Sequence, residues 1–148
     1  MRIIGGQYRG RRLSSPKNDK IRPTSDRVRE SIFNTLKHNK WSDKDYIAGA
    51  NVLDAFCGTG ALGLEALSQG ATHCTFFDKD TQSLSLAKQN ADLLGATPNC
   101  RFHRGDSLRP PPAETAVTLA FFDPPYHFAE IEALLIGFAK AGWITPNT

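Results

Sequence analysis

The run Asn51-Val52-Leu53-Asp54-Ala55-Phe56-Cys57-Gly58-Thr59-Gly60 constrains the fold of this 148-residue chain more than any other stretch. A short apolar segment breaks into a glycine turn, and from Ala61 to Gln69 the apolar Leu62, Ala66 and Leu67 recur at helical spacing. Strand, glycine turn and helix in immediate succession are the opening unit of a βαβ crossover. Gly58-Thr59-Gly60-Ala61-Leu62-Gly63 matches the G-x-G-x-x-G pattern of nucleotide-binding turns. Glycines there let the backbone turn sharply and approach a ligand, and the helix start leaves N–H groups facing it.

The alternation continues downstream. Cys74 to Phe77 ends at Asp78 as a second buried strand, and Thr81 to Leu94 spaces Leu84, Ala87, Ala91 and Leu94 as a second helix. Cys100 to His103 is a third strand leading to Gly105-Asp106, Val117 to Phe122 is a fourth after the Pro110–Pro112 loop, and a last helix runs from about Phe128 to Ala141. Strands alternating with helices predict a parallel sheet covered by helices on both faces, with ligands beyond the carboxyl ends of the strands. Upstream, Met1 to Ile21 reads as a short strand or hairpin plus loop. Arg22-Pro23-Thr24-Ser25 is a helix entry, and Val28, Ile32, Phe33 and Leu36 form the apolar stripe of a helix to about Asn39.

Charge divides the chain in two. Met1 to Lys40 holds 11 Lys and Arg against 3 Asp and Glu, a balance of +8, whereas the remainder stands at −5. A basic segment beside an acidic body points to a polyanion partner for the first part. The expected organisation is therefore a basic extension over residues 1–40 and a ligand-binding core over residues 41–148. No apolar run approaches membrane-span length and the N-terminus lacks a signal-peptide core, so the expected location is cytoplasmic. Cys57, Cys74 and Cys100 have no C-x-x-C spacing, and His38, His73, His103 and His127 are scattered, so reduced thiols and no metal are expected.

The glycine turn alone suits either a pyrophosphate or the carboxylate of an amino-acid cofactor such as S-adenosylmethionine. Asp54 favours the second, since an acid inside the strand would oppose a diphosphate yet can accept from an ammonium. Gly58, Thr59 and Gly60 would carry the close approach. Asp78, 20 residues after Gly58, stands where an acid accepts ribose hydroxyls in both cofactor classes; Asp80, just beyond it, is better suited to capping the next helix. Asp106, with Ser107 beside it, can accept from an adenine amino group, or the pair is a plain turn.

Asp123-Pro124-Pro125-Tyr126 is the most specific signal. Two prolines after a buried strand remove two backbone donors and fix φ, leaving rigid acceptors. The Asp123 carboxylate and the Pro124 carbonyl can hold both N–H bonds of an aromatic amine, and Tyr126 can stack on its ring. Stabilising the pyramidal, partly positive nitrogen is where catalysis on such an amine must act.

These residues resemble the class I, Rossmann-like S-adenosylmethionine-dependent methyltransferases with an N-D/S-P-P-Y/F/W amino-methylation motif, with Asp in the first position. Met1-Arg2-Ile3-Ile4-Gly5-Gly6-Gln7-Tyr8-Arg9-Gly10-Arg11, Arg22-Pro23-Thr24 and Val28-Arg29-Glu30-Ser31-Ile32-Phe33-Asn34 look like the bacterial 16S rRNA guanine-N2 methyltransferases that modify position 966 of that RNA. The likeness implies N2-methylguanosine as product, the small ribosomal subunit or its precursor as substrate, and RNA contact by the basic segment. Arg9, Arg11, Arg22, Thr24 and Arg29 are the candidate RNA contacts, and for Arg22, Thr24 and Arg29 an arginine pairing with Glu30 or another surface acid is the alternative. Such folds carry seven strands; here the chain reaches Thr148 just after the helix following the fourth, so a sheet truncated after that strand is expected. An adenine-N6 methyltransferase acting on DNA or RNA, a nucleotide-binding oxidoreductase and an inactive RNA-binding fragment remain the competing readings.

Overall fold

A computed structural model of the chain describes residues 1–17, 24–125 and 128–148. Arg22 and Tyr126, two of the candidate residues, lie outside the described residues. Among those described, four helices, one 3-10 turn and four strands follow in the order α1 (Asp26–Lys37), β1 (Asn51–Ala55), α2 (Ala61–Ser68), β2 (His73–Asp78), α3 (Thr81–Leu94), a 3-10 turn (Thr97–Asn99), β3 (Cys100–Arg104), β4 (Leu119–Phe122) and α4 (Ile131–Lys140).

The sheet has the order β3-β2-β1-β4, with every neighbouring pair parallel. In register, Asp54 stands between Phe76 on β2 and Phe121 on β4. β1 is buried from Val52 to Ala55, the continuous buried run of a central parallel strand covered on both faces. Val52, Cys74 and Phe76 join the cluster that holds the apolar residues of α2 and α3, whereas Leu53, Ala55 and Phe77 join Leu134 and Phe138 of α4. The βαβ architecture expected from the alternation is thus present among the described residues.

Local chemistry explains the element ends. Asp80 is the N-cap of α3, its Oδ2 accepting from Ser83 N at 3.1 Å. Gly95 closes that helix in the left-handed conformation, φ +69°. Gly63 is required by packing: a Cβ there would come within 2.5 Å of Phe76 Cε1 and 2.6 Å of Cys74 Sγ, so α2 approaches β2 more closely than any side chain allows. β4 begins at Leu119 and not Val117, because Val117 N and Thr118 N bond to Trp143 O and Asn51 O outside the ladder. α4 begins at Ile131 and not Phe128, whose ring instead meets Phe56 edge-on at 5.4 Å.

The largest departure concerns α1. Val28, expected on its apolar stripe, is 51% exposed, and Arg29, expected off that stripe, is fully buried with Phe33. Ile3 and Leu13 of the N-terminal segment join the same apolar cluster as α2 and α3, and an antiparallel bridge from Arg2 to Arg12 makes the expected short hairpin. No helix among the described residues is long and apolar enough to cross a membrane.

Candidate functional site

The site lies at the carboxyl end of the sheet, where β1 and β4 stop side by side. β1 leaves through Phe56, a non-glycine residue at φ +57°, a conformation that costs free energy and needs its surroundings to hold it. Those surroundings are specific. Cys57 N donates to Phe77 O at 3.1 Å, Gly58 N to Asp78 Oδ2 at 3.1 Å, and Gly60 N to Cys57 O at 2.8 Å. Gly60 starts α2 at φ +81° with no side-chain cap, and a Cβ there would sit 3.0 Å from Ala87 Cβ. Thr24, Phe56, Cys57, Gly58, Thr59, Ala61, Leu62 and Asp123 line one concavity over this loop.

Asp54 is fully buried, its Oδ2 accepting from Gly63 N at 3.0 Å. Burial pushes its carboxyl up to about 8, and the nearby charges of Asp78 and Asp123 add to that, while the Gly63 N–H works against it. No cation offsets the buried acid among the groups that shift it. Asp78 ends β2 half-buried, accepting from Gly58 N through Oδ2 and from Asp80 N at 2.9 Å through Oδ1. It braces the glycine loop and retains lone pairs. Carboxyl acceptors thus stand around the glycine loop, a set able to accept from the ammonium and hydroxyls of a ligand.

Asp123 follows β4, exposed, and its Oδ2 accepts from Thr24 Oγ1 at 3.3 Å. Pro124 is half-buried, Pro125 exposed, and Pro125 O accepts from Phe128 N at 2.9 Å. Asp106 is exposed and Ser107 buried; Asp106 Oδ1 accepts from Leu108 N at 2.9 Å, closing a turn outside the concavity.

Among the candidate RNA contacts, Arg9 is exposed and Arg11 is exposed with Nη2 donating to Leu93 O. Arg29 is placed otherwise than expected. Its Nε donates to Glu65 Oε1 at 3.0 Å, its Nη1 to Thr24 O at 3.3 Å, and its Nη2 to Asp26 Oδ1 at 2.8 Å and to Arg2 O. With its side chain fully buried, it is an internal tie and not a surface contact. Of the alternative partners, Glu30 is exposed and makes no ion pair with Arg29 among the described residues, whereas another, partly exposed acid, Asp26 of α1, pairs with it together with the buried Glu65 of α2.

Two polar residues went unnoticed in the sequence. Glu65 accepts from Ile4 N at 2.8 Å and Gly5 N at 3.1 Å besides Arg29, fastening the N-terminal segment to α2. Asn90, also fully buried, donates to Thr59 O at 2.9 Å and Ser14 O at 3.2 Å and accepts from Ser14 N at 2.7 Å. A lone acid in the apolar Ala61-Leu62-Gly63-Leu64-Glu65-Ala66-Leu67 and an amide next to Ala87 and Ala91 on the buried face of α3 were the available signals.

A parallel sheet with this loop at its switch point and a double-proline turn beside it has the architecture of the Rossmann-like methyltransferases. Comparison with known proteins agrees. The chain belongs to the family described as conserved hypothetical protein 95, whose model matches residues 1–148. It is 38% identical over 149 residues to ribosomal RNA small subunit methyltransferase D of Escherichia coli (strain K12), covering 99% of this chain and 71% of that protein. The protein of the same name from Haemophilus influenzae is 34% identical over 155 residues, covering 99% of this chain and 75% of its own length. The solved structure of yhhF from Escherichia coli superposes with a TM-score of 0.79 at 36% identity, covering 98% of this chain and 75% of that one.

Proposed function

We propose that this methyltransferase transfers a methyl group from S-adenosylmethionine to the exocyclic N2 amino group of guanine 966 in 16S rRNA. The observation that carries the reading is the meeting of Asp123 with Gly58 and Thr59 in one concavity at the carboxyl ends of β1 and β4. The relatives named as small-subunit rRNA methyltransferases support the RNA class.

When bound, the cofactor supplies an electrophilic methyl sulfonium. Asp54 accepts from its ammonium, directly or through water, and that positive charge relieves the cost of a buried carboxylate. Asp78 would accept from the ribose hydroxyls, and Asp106 with Ser107 would be the partners of the adenine amino group. Asp123 and the Pro124 carbonyl accept the two N–H bonds of the target amine, Pro125 stiffens the turn and Tyr126 stacks on the base. Transfer would form the N–C bond as the methyl–sulfur bond breaks with its electron pair left on sulfur, and the nitrogen would then lose a proton to a carboxylate or water. As positive charge grows on that nitrogen both acceptors would strengthen their hold, which is stabilisation of the transition state and not of the ground state.

Residues 1–40 form the RNA-contacting extension of a core over residues 41–148, with Arg9, Arg11 and Arg22 on phosphates of the small subunit or its precursor, in the cytoplasm. Mass spectrometry of 16S rRNA from a deletion strain complemented with this chain tests base and position together. N2-methylguanosine at 966 is the expected product. A methylated adenine, or an unmodified guanine 966, would sink the assignment.

A further inference from the structure

Thr24 joins the N-terminal segment to the catalytic turn. Its backbone is held from behind, because Arg29 Nη1 donates to Thr24 O at 3.3 Å while Arg29 itself is locked by Glu65 of α2. The next residue, Ser25, caps α1 by accepting from Val28 N at 3.2 Å. The Thr24 backbone is thus referenced to two helices. Its hydroxyl then reaches Asp123 Oδ2 at 3.3 Å, across 99 residues of sequence, and both side chains line the concavity of the glycine loop.

Asp123 needs such a partner. It stands exposed beyond the end of β4, and the two residues after it are prolines without N–H groups. Among the described residues, Thr24 makes the one hydrogen bond to its carboxylate. An exposed carboxylate with two rotatable bonds loses side-chain freedom when it must hold a target, and a donor already in place reduces that loss.

We propose that Thr24 is a positioning residue for Asp123: its hydroxyl engages Oδ2 so that Oδ1 remains aimed to accept an N–H of the target amine. The inference rests on the reading of Asp123 as the acceptor for that amine. It gives the segment before α1 a part in turnover in addition to any grip on RNA. Because Arg29 ties Thr24 to α2, the helix that carries the glycine loop at its start, acceptor and cofactor loop share one frame.

The test uses the full chain with Thr24→Val, which removes the hydroxyl at nearly constant shape, and Thr24→Ser, which keeps it. Turnover on unmodified 16S rRNA is read as kcat and as KM for S-adenosylmethionine, and RNA affinity is measured separately. Thr24→Val should lower kcat about tenfold, the effect of one hydrogen bond to a charged group, with KM for the cofactor and RNA affinity within about twofold. Thr24→Ser should keep most of the activity. In an Asp123→Asn background, Thr24→Val should cost nothing further, since its effect passes through that carboxylate.

An unchanged or raised kcat in Thr24→Val overturns the proposal, as does a Thr24→Ser variant no better than Thr24→Val. So does a loss confined to RNA affinity, which would make Thr24 a backbone contact. If Asp123→Asn retains full turnover, the acceptor reading of Asp123 falls and this inference with it. If Asp123→Asn is impaired while Thr24→Val is not, this inference alone falls.

Discussion

Arg29 Nε lies 3.0 Å from Glu65 Oε1, and both side chains are fully buried. An ion pair removed from water is costly unless its remaining hydrogen-bonding capacity is met, and here it is. Arg29 also serves Thr24 O, Asp26 and Arg2 O, while Glu65 also accepts from Ile4 N, Gly5 N and Gln69 Nε2. The pair is the joint through which a basic N-terminal segment is built onto an α/β sheet.

Removing Arg29 leaves Glu65 buried with no cation beside it among the described residues, and removing Glu65 leaves Arg29 with only the partly exposed Asp26 as counter-charge. Arg29→Ala and Glu65→Ala are each expected to destabilise the fold by about 3–5 kcal/mol. The double variant should cost clearly less than the sum of the two. Thermal denaturation of the three variants checks this, and additive losses would show that the two side chains act independently.

The third glycine of the turn makes a separate claim about packing. Gly63→Ala would put a methyl group 2.5 Å from the Phe76 ring and 2.6 Å from Cys74 Sγ. Neither neighbour is the free end of a flexible chain, so α2 must move away from β2. The expected cost is about 1–3 kcal/mol, read as a lower Tm. A weaker response to S-adenosylhomocysteine in a thermal-shift assay should accompany it, since the helix start carries the loop.

Much of this was legible in the residues because it depends on local rules. Apolar runs ending in Gly58 and Asp78 mark parallel strands, and helical spacing from Ala61 and from Thr81 marks the helices between them. The G-x-G-x-x-G turn and Asp123-Pro124-Pro125 fall at strand exits, and the fold brings Gly58, Thr59 and Asp123 into one concavity. What was hidden is long-range. Arg29 looks like a surface cation because the buried acid it packs against is 36 residues away on another helix, although Asp26, its second partner, lies one turn back on α1. Val28 looks like a core residue because periodicity does not say which of two neighbouring stripes meets the sheet. Asn90 looks like an ordinary helix polar residue until Ser14 and Thr59 close on it.

Asp54 gives a pH dependence whose sign follows from burial. Its carboxyl is raised from 3.8 to about 8, chiefly by burial. Below pH ~4 the folded and unfolded chains both hold the proton, and no difference arises. Between about 4 and 8 the unfolded chain ionises while the folded chain keeps its proton, so stability falls as pH rises. Asp54→Asn removes that titration and should flatten the decline in Tm from about pH 5.5 to about pH 8.5. A decline as steep as in the unsubstituted chain would assign it to other groups.

Arg9 and Arg11 are exposed, whereas Arg29 is not. Charge reversal at Arg9 or Arg11 should weaken RNA binding and reduce the slope of log affinity against log salt by roughly one for each phosphate no longer neutralised. Arg29→Lys, if it remains folded, should leave that slope unchanged. The measurement is a salt titration of RNA binding by fluorescence anisotropy, and an unaltered slope on reversal of both Arg9 and Arg11 would move the RNA surface elsewhere on the molecule.

Asp123→Ala separates chemistry from binding. The carboxylate stands at the β4 exit, beside the glycine loop but outside the hydrogen bonds that hold it, which come from Asp78 and Asn90. Loss of an acceptor that strengthens as positive charge grows on the amine should lower kcat by about two to three orders of magnitude. Affinity for S-adenosylhomocysteine should change by less than about threefold, because neither Asp54 nor the loop loses a partner. Isothermal titration with S-adenosylhomocysteine alongside single-turnover methylation reads both quantities. A parallel loss of cofactor affinity would put Asp123 in the cofactor site, and the target amine would then need another acceptor.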